Sequence, residues 1–294
     1  MGMTTQLAPG SRLASYLWPL AVANLVANIG IVVTGGAVRL TGSGLGCPTW
    51  PRCTDESYVA HGALGVHGVI EFGNRMLTWV LVVIAIGCFL AALRSGDRRA
   101  RTLSVVIALG IPAQAVIGGI SVLTKLNPYV VGFHLLVSMA IVAVCVVLLD
   151  HLRGPARPDA PPLLRRLGWG LLAVGWVVLW LGTIVTGSGP HSGDLESKRT
   201  GLDPQVMSHL HAFAVYALVA LTVVALVLVR RSGGPVLVRA LVLLLGVELL
   251  QGVVGFVQYV NDLPELLVGL HMLGAALTSA ALAWVVLAAH RKDA

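Results

Sequence analysis

Long apolar stretches separated by short polar segments make up most of the chain. A transmembrane helix needs roughly 20 mainly apolar residues, and eight stretches meet that length. We predict these spans at about 15–37, 68–93, 103–122, 129–150, 168–187, 206–229, 236–258 and 266–289. The pattern therefore predicts an all-α integral membrane protein with eight transmembrane helices.

Composition agrees with a membrane location. Of the 294 residues, 56% are hydrophobic and 11% are charged, whereas soluble domains carry about 25% charged residues. The first apolar stretch lacks a small-residue cleavage site directly after a short apolar core, so we expect a retained helix and a mature chain that begins near Met1.

The basic residues mark one side of the membrane. They cluster after every second predicted span, at Arg94, Arg98, Arg99, Arg101, Arg153, Arg157, Arg165, Arg166, Arg230, Arg231, Arg291 and Lys292. The positive-inside rule places this side, with both termini, in the cytoplasm, and we expect a multi-pass protein of the bacterial plasma membrane. The net charge of +7 is then a topology signal. Acidic lipid headgroups suffice as its partners, and no interleaved basic and aromatic pattern indicates nucleic-acid binding.

The two halves of the chain are similar at one constant offset, the one that superposes His134 on His271. The segment QAVIGGISVLTKLNPYVVGFH (114–134) aligns with QGVVGFVQYVNDLPELLVGLH (251–271). The matched positions are Gln114 and Gln251, Gly118 and Gly255, Leu126 and Leu263, Gly132 and Gly269, and His134 and His271. We predict two four-helix bundles related as parallel repeats: residues 1–150, a cytoplasmic linker at 151–166, and residues 167–294.

Histidines near the ends of these helices are candidate heme ligands. A heme held between helices needs axial imidazoles from two of them. Residues two apart on a helix differ by about 200° in direction, so only one of His209 and His211 points into the bundle. The separation from His211 to His271 equals that from position 74 to His134, which favours His211. For any single histidine, ordinary hydrogen bonding is the alternative.

The first half departs from this symmetry, because position 74 is Asn74, a poor iron ligand. His134 is then a candidate single axial ligand, with the opposite iron face left open or closed by some other group. The asymmetry suggests a substrate heme in the first half and a cofactor heme in the second. His67, two helical turns before Asn74, is a further candidate for the same pocket, or a polar loop-edge histidine.

The acidic residues Glu71 and Glu248 lie within predicted spans. Glu71 stands near the start of the second, and a carboxylate at that depth is a functional candidate by default. A structural ion pair with Arg75, one helical turn on, is the alternative. We expect Glu248, in the seventh span, to form a hydrogen bond between helices instead of taking part in chemistry.

Cys47 and Cys53 lie in the first outer loop, where disulfides persist, and we predict that they form one. Two free thiols, or a metal-binding or redox pair, are the alternatives. Cys88 and Cys145 fall in apolar spans and are predicted to be packing residues.

Three motifs carry a resemblance to a known family. They are VTGGAVRLTGSGLGCPTWPRC (33–53), IEFGNR (70–75), and the GFH and GLH segments that end at His134 and His271. With them the chain resembles the heme A synthase family over nearly all eight helices.

The resemblance implies an oxidoreductase that converts the C8 methyl group of heme O into a formyl group by two successive hydroxylations, giving heme A for terminal oxidases. It implies heme b as cofactor with His211 and His271 as axial ligands. It also implies that Glu71 is catalytic and that Cys47 pairs with Cys53. The substrate pocket in the first half would contain His134, Asn74, Arg75 and His67.

Two departures from the family pattern stand out: Asn74 occupies a usual histidine position, and PHSGDLES (190–197) replaces a frequent second cysteine pair. Our working mechanism has the iron near His134 activating the oxidant, Glu71 handling protons or stabilising a developing cation, and the second heme moving electrons.

The alternative functions are a diheme b-type electron carrier and a heme transporter. A heme O synthase (farnesyltransferase) is the expected partner, while the electron donor or acceptor and homo-oligomer formation stay open.

Overall fold

The computed structural model describes residues 12–232 and 234–293, and these form helices and loops without a β-strand. After a one-turn helix at Arg12–Ser15 come eight long helices: α1 Leu17–Leu40, α2 Gly65–Ser95, α3 Arg98–Leu123, α4 Pro128–Arg153, α5 Pro162–Ser188, α6 Pro204–Ser232, α7 Pro235–Val260 and α8 Glu265–Ala288. A 3₁₀ turn at Gly62–Leu64 leads into α2. All eight are long and apolar enough to cross a membrane, which confirms the predicted all-helical membrane fold.

The helices run past the apolar stretches that predicted them. The fifth span was predicted at 168–187, but α5 begins at Pro162, because proline suits the first turn of a helix and the basic residues that follow are good helix formers. α4 likewise continues to Arg153. Of the predicted linker at 151–166, only residues 154–161 lie between helices.

Each half of the chain packs its helices in sequence. In the first half α1 contacts α2, α2 contacts α3, α3 contacts α4, and α4 returns to α1; helices α5 to α8 make the same set of contacts. The two halves meet through α4 and α8, which pack directly on one another, and through contacts of α1 with α8 and of α4 with α5. The histidine-bearing helices α4 and α8 therefore lie side by side at the centre of the molecule.

The turns before α4 and α8 share an uncommon backbone conformation. Lys125 and Leu126 have φ of 51° and 54°, and Asp262 and Leu263 have φ of 58° and 59°. Side chains other than glycine rarely adopt this left-handed region. Because the two pairs occupy matching positions in the alignment of the halves, the aligned segments share local geometry as well as sequence. The parallel-repeat relation of the whole halves stays a prediction.

The connections gather at two ends of the bundle. We call the end with loops 41–64, 124–127, 189–203 and 261–264 the disulfide end, and the other, which holds the end of α8, the terminal end. At the terminal end, Arg157 and Lys292 form an isolated β-bridge. The Arg157 guanidinium donates two hydrogen bonds to the Asp150 carboxylate, at 3.0 and 2.8 Å, and the Lys292 ammonium donates to the Gly154 carbonyl at 2.8 Å. The last residues thus fasten the connection between α4 and α5.

Candidate functional site

The structure brings His211 and His271 together. Their rings face each other from α6 and α8 with centroids 6.4 Å apart and planes inclined at 73°. His209 is exposed on the other side of α6, where its ring lies 6.4 Å from that of Tyr259. The pairing is the one that the matched spacing of the two halves predicts.

A hydrogen bond orients the imidazole of His211. Nδ1 of His211 lies 3.1 Å from the carbonyl oxygen of Val178, and because a carbonyl only accepts, this nitrogen carries the proton. Nε2 is then left with a free lone pair, the arrangement that metal-bound histidines commonly adopt. Nδ1 of His271 is buried, with no hydrogen-bond partner in the part of the chain that the structure describes.

Glycines on the neighbouring helices leave room for these rings. A Cβ atom added at Gly182 would lie 3.4 Å from Cε1 of His211, and one added at Gly255 would lie 3.3 Å from Cε1 of His271. Larger residues at either position would therefore press on an imidazole.

The pair fits an iron ion that brings its own equatorial ligands. Metal–imidazole bonds are about 2 Å long, and adding the distance from each nitrogen to its ring centre gives roughly 6 Å between two imidazoles on one metal ion. The observed 6.4 Å matches this spacing. Residues 12–232 and 234–293 contain no group of three or more His, Cys, Asp or Glu side chains that could hold a bare metal ion. A heme, which supplies four nitrogen ligands itself, suits a two-histidine site.

The surroundings of His134 in the first half repeat those of His271. The Gln114 side-chain amide donates to the His134 carbonyl at 3.0 Å, as Gln251 does to the His271 carbonyl at 2.9 Å. A Cβ at Gly118 would lie 3.2 Å from Cε1 of His134. Nδ1 of His134 is also buried and unpartnered among the described residues.

Asn74 on α2 is oriented toward α1. Its side-chain oxygen accepts a hydrogen bond of 2.8 Å from the Thr34 hydroxyl, and a Cβ at Gly35 would lie 3.9 Å from its amide nitrogen. Asn74 thus faces a glycine of the first helix of its half, as His211 faces Gly182.

Both carboxylate oxygens of Glu71 have partners. Glu71 is 6% exposed; one oxygen lies 2.5 Å from the Arg75 guanidinium, and the other accepts from the Cys47 backbone N–H at 2.6 Å. Arg75 also donates to the carbonyls of Cys47 and Thr49, both at 3.0 Å. The ion pair that the sequence offered as the alternative is therefore formed, and it attaches the first loop to α2.

That loop is closed by a disulfide between Cys47 and Cys53, the predicted pairing. Between them Trp50 lies against α3, where a Cβ at Gly119 would clash with the indole ring. Gly118, the residue before Gly119 on α3, faces His134. Trp50 was not predicted as a site residue, although the CPTWP motif contains it.

His67 is exposed at the disulfide end. Its Nδ1 lies 2.9 Å from the Ser43 hydroxyl, and its backbone carbonyl contacts Gly46 closely enough to exclude any side chain there. These contacts place His67 at the edge of the loop, the position given above as the alternative.

Hydrogen bonds organise the loop at residues 189–203, which contains the segment PHSGDLES (190–197). The Ser197 hydroxyl donates to Ser192 at 2.5 Å, and the Gly44 N–H donates to the Gly193 carbonyl at 2.9 Å. A ring nitrogen of His191 lies 2.8 Å from the Leu263 carbonyl. Loops of the two halves are thereby joined at the disulfide end.

The fold and the site define a class: a helical membrane protein whose second half has a partly buried pair of facing histidines suited to a heme iron. The chain also matches the COX15-CtaA family, described as cytochrome oxidase assembly protein, over residues 18–64 and 65–190. This match covers well over half of the chain, and the chain belongs to that family.

Several curated relatives are similar to the chain. A heme A synthase of a Bradyrhizobium species is 28% identical over 219 residues, which is 63% of this chain and 60% of that protein. The heme A synthase of Exiguobacterium sibiricum is 29% identical over 163 residues, 53% of this chain and 54% of that protein. A protoheme IX farnesyltransferase of Halobacterium salinarum is 31% identical over 133 residues, 45% of this chain and 29% of that protein. The chain thus spans little more than half the length of the heme A synthases that it matches.

Proposed function

We propose that this protein is a heme A synthase, which oxidises a ring methyl group of heme O to a formyl group with heme b as its cofactor. The observation that carries the proposal is the partly buried pair formed by His211 and His271, with ring centroids 6.4 Å apart. Family membership and the relatives named heme A synthase support the same activity.

In this proposal His211 and His271 hold heme b, which would supply one-electron redox chemistry at its iron. The Val178 carbonyl keeps His211 in the tautomer with Nε2 free, and Gln251 anchors the backbone of His271. Gly182 and Gly255 leave space beside the two rings. The chain thus provides two facing imidazoles between apolar helices, one of them in a fixed tautomer.

The first half binds the substrate, heme O, with His134 as the axial ligand. Asn74 is held by Thr34, and a carboxamide is a poor iron ligand, so the opposite face of the substrate is left open for reaction. Direct packing of α4 on α8 sets His134 and His271 on adjacent helices, which supports assigning both sites to one reaction.

Glu71 is the proposed catalytic residue of the substrate half. Its carboxylate would handle protons during the oxidation or stabilise positive charge that develops at the methyl carbon. Arg75 balances its charge and Cys47 holds its second oxygen. Because the same contacts also fix the disulfide loop, a catalytic role must be tested separately from a structural one.

Location and partners follow from the same proposal. The basic residues at the terminal end support a cytoplasmic position for that end, and we place the protein in the bacterial plasma membrane. Matches to proteins named protoheme IX farnesyltransferase support a functional link to the enzyme that would supply heme O.

The deciding experiment is to extract the pigments that copurify with the full chain produced in cells that make heme O, and to identify them by chromatography and mass. Heme O, a hydroxylated derivative and heme A are expected. Heme B alone, despite available heme O, would contradict the synthase activity and favour an electron carrier. His134→Ala is the matched variant, expected to retain heme B and lose heme A.

A further inference from the structure

Glu248 is a buried acid that the proposed reaction does not use. It lies in the middle of α7 and is 3% exposed. One carboxyl oxygen accepts a hydrogen bond of 2.8 Å from the Thr222 hydroxyl on α6, the contact between helices that the sequence predicts. The other oxygen is buried and has no hydrogen-bond partner within the described ranges. An unsatisfied carboxyl oxygen in an apolar bundle is costly, so it indicates a use beyond packing.

The first half shows that packing at this place needs no polar pair. At the offset that superposes His134 on His271, Glu248 corresponds to Ile111 and Thr222 to Ala85. Ile111 and Ala85 are buried in one hydrophobic cluster. The acid and its hydroxyl partner therefore occur only in the half that has the two facing histidines.

Glu248 is aligned with the histidine pair along α7. Gly255, which faces the His271 ring, lies two helical turns further on, and Gln251, which donates to the His271 carbonyl, lies one turn further on. Glu248 is therefore on the same face of α7, about 10 Å deeper in the bundle. Charges in an apolar interior interact over such a distance with little screening by salt.

The helices packed against α7 present few other titratable groups. Those on α6, α7 and α8 are His209, His211, Tyr216, Arg230, Arg231, Arg239, Tyr259, Glu265 and His271. The arginines lie toward the terminal end, Glu265 is at the first residue of α8, and Tyr216 and Tyr259 are exposed. From residue 204 to residue 260, Glu248 is the only acidic residue in the sequence.

We infer that Glu248 is a proton-accepting site coupled to the redox state of the iron held by His211 and His271; the inference rests on the proposed heme b site. With heme b bound by His211 and His271, its reduction by a one-electron carrier would add one negative charge to the apolar bundle. The Glu248 carboxylate then takes up one proton from water, so the net charge of the region is unchanged. Reoxidation returns the electron to the carrier and the proton to water.

The test is a potentiometric titration of the heme b absorbance of the purified full chain at a series of pH values, with one-electron mediators. The midpoint potential of the unaltered protein is expected to fall as pH rises, because reduction takes up a proton. Glu248→Gln preserves size and can still accept from Thr222, but it cannot ionise, so this pH dependence is expected to be lost. Glu265→Gln, which removes an exposed acid of the neighbouring helix, is expected to retain it.

A second variant tests the inference in case Glu248→Gln does not retain heme b. Thr222→Val removes the hydroxyl that stabilises the Glu248 carboxylate. The pH range in which the midpoint potential changes is therefore expected to move to higher pH. Three results would each overturn the inference. The midpoint potential could depend on pH with the same slope in Glu248→Gln as in the unaltered protein, or it could be independent of pH in the unaltered protein. The pH range in which the potential changes could also be the same in Thr222→Val as in the unaltered protein. Absence of a heme b spectrum from the unaltered protein would instead overturn the proposed cofactor.

Discussion

The rings of His211 and His271 face each other from α6 and α8, with centroids 6.4 Å apart. The two residues are far apart in the chain, and they meet because α7 packs against both of their helices. With no third side-chain ligand nearby among the described residues, the arrangement suits a heme better than a bare metal ion.

Replacing His271 with Ala should abolish binding of heme b, because the opposing imidazole alone gives one axial bond where two are proposed. The expected result is loss of heme B from the pigments extracted from the purified protein, measured against protein concentration. His211→Ala should have the same effect.

His209→Ala is the matched control, since this histidine is exposed on the same helix. It should retain the full heme content. A His271→Ala protein that kept its heme b would show that the ligand is another residue.

Glu71→Gln should lower the rate of heme A formation by about 10²-fold or more, the usual contribution of a positioned proton acceptor. The amide oxygen can still accept from the Cys47 N–H, so the disulfide loop should stay in place. The measurement is the conversion of heme O by equal amounts of heme-b-loaded protein.

Glu56→Gln, in the exposed part of the same loop, should leave the rate unchanged. If Glu71→Gln lost heme b or the disulfide along with activity, its role would be structural; full activity would exclude catalysis by Glu71.

Gly255→Val should reduce heme b content, because even a Cβ at this position lies 3.3 Å from the His271 ring and a branched side chain would displace the imidazole. Gly252→Val on the same helix meets no atom within 4 Å of the added Cβ and should have little effect. The comparison uses heme-to-protein ratios from absorbance spectra. Equal ratios in the two variants would show that Gly255 does not shape the site.

Arg157→Met should destabilise the protein by about 3 kcal/mol, because it leaves the buried Asp150 carboxylate without its ion-pair partner. Thermal unfolding in detergent, followed by circular dichroism, measures the effect. Arg291→Met breaks an ion pair whose side chains are 69% and 80% exposed and should change the unfolding temperature little. A similar small change for Arg157→Met would mean that the terminal contacts do not hold the two halves together.

The amino-acid sequence determined the helical membrane fold, because only internally hydrogen-bonded segments can span a bilayer and each needs a long apolar stretch. Its periodicity and internal similarity also determined the choice of His211 over His209, since both features depend only on spacing along the chain. Helix ends were harder to predict: α5 begins at Pro162, ahead of its apolar stretch.

Tertiary structure alone decided which distant groups touch. The bond from the Cys47 N–H to Glu71, the packing of Trp50 on Gly119 and the pairing of Thr222 with Glu248 join separate elements. Hydropathy and periodicity describe each segment by itself, and many side-chain arrangements satisfy them equally. The contacts between helices follow from how the segments fit together. These contacts tied Glu71 to the disulfide loop and left one oxygen of Glu248 without a partner among the described residues.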